Sequence, residues 1–306
     1  GITMTDNMVY DATMTPSQAD GKHSGIPDDR WVFTSRSSAV NYGSIAALSA
    51  AARAIREYNP KLATEALKRA ELAWEEEQSH PPFLFHHGNT TGGRLNAEKL
   101  TAAAELLMST GDEQYKQAIN TLWPEVEAHF AQHIGTLIRL IPLMGEKYKQ
   151  KIAGLAKDYV NEGKHITQDN PFNVTITEGG WAGNGRIIRD AIHHYYLVKA
   201  FPGLLEPDAV YDGLHYLYGT HPDSDISLVS NVGTVSKRVA YGMNRADFSF
   251  ISGGVVPGIL IIKPDLPENN EEWPFFWGQN EYVINIAASY IMLVHAVDDL
   301  LSSSAK

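Results

Sequence analysis

Residues 37–58 read SSAVNYGSIAALSAAARAIREY. No proline interrupts them, and their apolar and small residues recur with a helical period, which predicts a helix from Ser38 to Tyr58. The alanine-rich face lets a neighbouring helix approach closely. Pro60 then opens a second helical pattern, Lys61 to Gln78, near a helix start, where proline is tolerated. Two helices joined by so short a connection pair antiparallel. The same pattern recurs along the chain, predicting helices at about Asn96–Ser109, Asp112–Gln132, Gly145–Asn161, Gly185–Ala200, Asp208–Tyr218 and Asn280–Leu301. Only residues 226–235 and 259–262 have strand-like character. The chain therefore reads as all-α, with roughly eight helices in antiparallel pairs.

Residues 1–36 differ from the rest. They are polar and turn-rich, carry Pro16, Gly21, Gly25 and Pro27, and show no sustained period, so they form an N-terminal loop region tied down by Trp31 and Phe33. Residues 37–306 form the helical part. The connections within it are long and rich in glycine, proline and aromatic residues: HPPFLFHHGNTTGG at 80–93, ITQDNPFNVTITEGGWAGNG at 166–185, and all of 221–278. Structured loops of that length are where function concentrates, and they are expected to gather on one face of the helices.

Composition narrows the function. The 306 residues carry a formal net charge of −11, with 43% hydrophobic and 20% charged residues, an ordinary globular balance. A net acidic chain has no excess of lysine and arginine to neutralise phosphates, which argues against a nucleic-acid partner. With no cysteine there is neither a disulfide framework nor a cysteine-ligated zinc site. No cofactor and no catalytic metal are expected: the adjacent pairs His86-His87 and His193-His194 lack the i, i+4 spacing that lets two helical histidines share an ion. Asp223 and Asp225 have no EF-hand-like spacing for calcium. The most apolar stretch, 283–301, is interrupted by Asn285, Ser289, His295 and Asp298, and reads as a buried helix rather than a membrane span.

Four segments, in order, carry a resemblance. They are SSAVNYGSIAALSAAARAI after Pro27-Asp28-Asp29, WAGNGRIIRDA at 181–191, YLYGTHPDSDISLVSNVG at 216–233, and PGILIIKPD at 257–265 with WGQNEYVINIAAS at 277–289. Together they resemble the C-terminal part of glycoside hydrolase family 9, the cellulase-type catalytic domain. The resemblance implies a toroid of helix pairs, here incomplete, and inverting hydrolysis of β-linked glucan. It places the general acid at Glu281, with Trp181, Asn184, Arg245, Trp277 and Tyr282 lining the substrate cleft. Inversion needs a second carboxylate to activate water. The family supplies it from an Asp-Ala-Gly-Asp motif upstream of the alanine-rich helix, and that motif is absent from residues 1–306. The base is thus expected in a missing N-terminal portion, and this chain alone is expected to be inactive. Met243 and Asn244 stand where the family has a pair of histidines, beside Arg245.

Without the resemblance Glu281 reads as a first-turn acid on a helix, whose N-terminus stabilises the charge; with it, the surroundings suit the acid role. Glu281 follows the aromatic-rich EEWPFFWGQ, and apolar rings around a carboxyl group disfavour its charged form, as an acid at neutral pH requires. Trp277 is the tryptophan nearest Glu281 in sequence, and a sugar face can stack on its ring. The plainer alternatives are a first-turn acid on a helix for Glu281, an N-cap for Asn184 and an ion pair with Asp247 or Asp265 for Arg245. The expected partner is a carbohydrate, in a secreted or periplasmic bacterial setting, with self-association where helix pairs are missing. The alternatives in function are an exo-acting or aminosugar glycosidase and a noncatalytic carbohydrate-binding relative.

Overall fold

The computed structural model describes residues 6–29, 35–87, 91–163, 170–175, 183–221, 225–237, 250–258 and 281–304. They fall into two compact units, Gly1–Ser109 and Thr110–Lys306. The fold is all-α. Among the described residues the only strands are β1 (Val9–Tyr10) and β2 (His23–Ser24), a short parallel pair inside the N-terminal loop region. Asp29 secures it by accepting from the Tyr10 amide at 2.7 Å. The expected anchors Trp31 and Phe33 lie outside the described residues.

In the first unit, α1 (Ser38–Ile55) packs along α2 (Pro60–Gln78). Asn59 caps α2 by accepting from the Leu62 amide, so the chain reverses within four residues. The small residues of α1 do what the sequence suggests: Ala39, Ala46, Ser49 and Ala52 are buried beside Tyr42 and Ile45. Tyr42 meets Trp74 of α2 edge-on, with ring centroids 5.6 Å apart. Arg53 of α1 forms an ion pair with the buried Glu105 of α3 (Leu95–Thr110).

In the second unit, the single helix predicted over 112–132 is three pieces: α4 (Glu113–Thr121), α5 (Trp123–Ala128) and α6 (Phe130–Arg139). The chain leaves helical geometry at Leu122 and His129, and Pro124, which has no amide to donate, sits in the first turn of α5. Next come the single turn α7 (Ile141–Met144) and α8 (Glu146–Asn161). The described residues thus hold eleven helices, more than the roughly eight expected, because broken helices count separately.

Helix α9 (Asn184–Ala200) is the centre of this unit and packs on α6, α10 (Asp208–Leu217) and α11 (Ile284–Ser304). Ile188 and Ala191 of α9, Val210, Leu214 and Leu217 of α10, and Leu293, Val297 and Leu300 of α11 form one core. Val229 and Val255, paired across an antiparallel bridge, close its end. The bridges at Ser227 and Val229 fall in the predicted strand-like segment, while residues 259–262 lie outside the described residues.

Helix α11 departs from the sequence reading twice. It begins at Ile284, not Asn280, and only one of its faces is buried. Ile284 is 90% and Ile291 59% exposed. Among the described residues it is the one helix long and apolar enough to cross a membrane, a test that core helices also pass. The buried face against α9 and α10 accounts for part of its apolar content.

Candidate active site

Described residues of three of the four segments, those at 181–191, 216–233 and 257–289, meet at the N-terminal ends of α9 and α11. Asn184 is the first residue of α9, with Gly183 as the cap rather than Asn184 itself: the Gly183 carbonyl accepts from the amides of Arg186 and Ile187. The Asn184 side chain reaches away from its own helix. Its Nδ2 donates to the Val256 carbonyl at 2.9 Å, and its backbone amide donates to the Pro257 carbonyl at 2.9 Å. Asn184 is fully buried. Gly258, with φ of +125°, passes so close that a side-chain carbon there would stand 2.9 Å from Asn184. Only glycine allows both the dihedral and the approach.

The same segment, 251–258, receives the strap that leads into α11. The Val283 amide donates to the Val255 carbonyl at 3.4 Å, and the Tyr282 ring lies over Gly254, where an added Cβ would stand 2.6 Å from Cδ1. These contacts hold residues 281–283 out of the helix, which starts at Ile284. Glu281 therefore precedes α11 by three residues instead of occupying its first turn.

Tyr282 is fixed through its hydroxyl. Ser230 Oγ donates to the Lys237 carbonyl at 2.5 Å and lies 2.7 Å from the Tyr282 hydroxyl. With the serine hydrogen spent on the carbonyl, Tyr282 donates to Ser230 and accepts from the Ile251 amide at 3.3 Å. The result is a directed chain from Ile251 through Tyr282 and Ser230 to Lys237. Beneath it the Tyr282 ring packs on Val174, Ile187, Tyr216, Leu228 and Val256.

Asn184 and Tyr282 are thus brought to one framework, the 251–258 segment, with Glu281 half-buried at its edge. Trp181, Arg245 and Trp277 lie outside the described residues. Two further residues matter that the sequence reading missed, Ser230 and Gly254. The Gly253-Gly254 pair was the available signal, since adjacent glycines mark a close backbone approach.

The sequence pattern of glycosyl hydrolase family 9 matches residues 2–255. A cellulose 1,4-beta-cellobiosidase of Acetivibrio thermocellus is 24% identical over 273 residues, covering 71% of this chain and 30% of that protein. A solved family 9 glycoside hydrolase of Bacteroides ovatus superimposes with a TM-score of 0.71 at 18% identity, covering 95% of this chain and 57% of that one. A cellulase of C. cellulolyticum, solved in complex with cellobiose, gives a TM-score of 0.65 at 15% identity over 87% of this chain and 65% of that one. The chain thus spans 30% of the curated relative and less than two thirds of either solved structure. At these identities the structures speak for the fold, whereas the sequence pattern, matching well over half of the residues, speaks for descent. The chain belongs to glycosyl hydrolase family 9.

Proposed function

We propose that this chain contributes the acid side of an inverting β-glucan hydrolase, with Glu281 as general acid. The observation that carries the proposal is the anchoring of Glu281. It directly precedes a tyrosine whose ring and hydroxyl are both held, at the point where α9, the 251–258 segment and α11 meet. General acid catalysis needs a carboxyl group held within hydrogen-bond reach of the leaving oxygen, and a strap fixed on one side achieves that.

In this mechanism Glu281 protonates the glycosidic oxygen as the bond to the sugar breaks. A water on the opposite face of the ring attacks the anomeric carbon and gives up its proton to a second carboxylate. That base stands roughly 6.5–9.5 Å from the acid, leaving room for the water. It comes from outside these 306 residues, so the chain alone binds sugar without cleaving it. Tyr282, its hydroxyl engaged by the protein, and Asn184, whose two amide nitrogens are engaged while its Oδ1 has no hydrogen-bond partner, act as positioning residues, and Trp181, Arg245 and Trp277 contact the sugar. The substrate is a β-1,4-linked glucan, by analogy with the cellobiosidase relative and the cellobiose-bound cellulase, and the setting is secreted or periplasmic. The stripe of Ile284, Ala288 and Ile291 on α11 is covered by further chain of the same protein, and without that cover the chain self-associates.

The test is to express the chain together with any coding sequence that precedes it and follow cello-oligosaccharide products by NMR. Inversion gives the α-anomer first, and the β-anomer first would contradict it. Binding without cleavage would favour the noncatalytic reading, to which the lack of an Asp-Ala-Gly-Asp motif within residues 1–306 gives specific support.

A further inference from the structure

We propose that the end of α2 is a structural binding site for a divalent transition-metal cation of the zinc class, with Glu76, Glu77 and His80 as ligands. One carboxylate oxygen from each glutamate and one ring nitrogen of His80 lie within 4.8 Å of one another. The sequence spacing explains the convergence: residues three and four apart on a helix share a face, and His80 follows the last helical turn directly.

Acidic groups near a histidine are common on surfaces, and two features set this trio apart. The first is Glu77, only 4% exposed. Its Oε1 accepts from Asn41 Nδ2 at 2.5 Å, whereas its Oε2 is buried with no hydrogen-bond partner. A buried carboxylate oxygen left without a partner is costly, and a cation within the trio removes that cost. The second is the tautomer of His80. Its Nδ1 lies 2.8 Å from the Pro81 carbonyl, which can only accept, so Nδ1 carries the hydrogen and Nε2 presents a lone pair. That Nε2 is buried, has no hydrogen-bond partner, and lies 3.7 Å from Glu76 Oε1. A metal-binding histidine is held in just this way, its other ring nitrogen donating to a backbone carbonyl.

A proton on Nε2 would reconcile His80 with Glu76 but would leave Glu77 Oε2 as it is. A single cation serves all three groups. Lys99 is the nearby positive charge, but its ammonium lies over the rings of Tyr42 and Trp74 and donates to Gln78 Oε1 at 2.9 Å. One imidazole with two carboxylates suits zinc and its neighbours better than calcium or magnesium, which prefer oxygen alone. The ion would tie the end of α2 to the segment that pairs back onto α1 through Phe83 and Ser38.

The test uses zinc alone as the probe, titrated by calorimetry into the full chain after chelator treatment. One equivalent is expected to bind and to raise Tm. Glu76→Gln, Glu77→Gln and His80→Gln are each expected to weaken binding at least about tenfold and to abolish the rise. Glu76 is exposed, so its variant folds regardless of the outcome at the buried Glu77. Cobalt substituted for zinc should give visible d–d absorption that is lost in His80→Gln. The proposal is overturned if no equivalent binds, if the three variants bind as the parent does, or if binding is lost only on replacing His86 and His87.

Discussion

At the residue scale, the proposed positioning of Glu281 rests on Tyr282. Its hydroxyl joins Ile251 to Ser230, and its ring requires Gly254. Tyr282→Phe keeps the ring and removes the link, leaving the Ile251 amide and Ser230 without their shared partner. The expected loss of stability is about 1–3 kcal/mol, measured by urea denaturation. In the active protein kcat should fall with KM little changed, because a displaced acid affects the transition state more than sugar binding. A larger effect on KM would return Tyr282 to the sugar contacts. Gly254→Ala tests the same anchor from the other side. The added methyl would overlap the ring, so a cost of about 1–3 kcal/mol is expected.

At the scale of elements, α11 and the α6–α9 pair make separate predictions. Leu293 is fully buried between α11 and its neighbours, whereas Ile291 on the opposite face is 59% exposed. Leu293→Ala should cost about 2–5 kcal/mol. Ile291→Ser should stay within about 0.5 kcal/mol in the monomer while lowering self-association in sedimentation velocity. The other element-scale effect depends on pH. Burial pulls the His193 imidazole of α9 down to about 4, helped by Arg189 and His133 and opposed by Asp190 and by a bond with the Ala131 backbone. The unfolded chain takes up this proton near the ordinary value of 6.5, before the folded one does. Stability is therefore highest above pH 6.5 and is lost as the pH falls towards 4. His193→Gln should show a smaller drop in Tm between pH 7 and 4.5 than the parent, and identical drops would refute this account.

At the scale of the whole molecule, the helix pairs were legible because local signals and tertiary packing agree. Asn59-Pro60 both ends one helix and starts the next, and the buried face of α1 carries Ala39, Ala46 and Ala52, although Ala47, Ala51 and Ala54 lie on its exposed side. The sequence reading fails where contacts distant in sequence override local preference. Residues 281–283 read as helix and are held out of it by contacts with Val255, Gly254 and Ser230, all more than twenty residues away. Asn184 reads as a cap, yet its amide is drawn to Val256. Of the candidate site, three contributing segments could be named from the sequence, while the backbone framework joining them could not, since carbonyl and amide partners leave no mark on side-chain identity. The most direct test of the account is Glu281→Gln in the chain carrying its catalytic base, assayed on two classes of substrate. Loss of a general acid typically costs about 10²–10⁴-fold, so kcat on cello-oligosaccharides, with their poor leaving groups, should fall by that much. Activated aryl glycosides, whose leaving groups need little protonation, should lose far less. Equal losses on both classes, or none on either, would contradict the assignment of Glu281 as the acid.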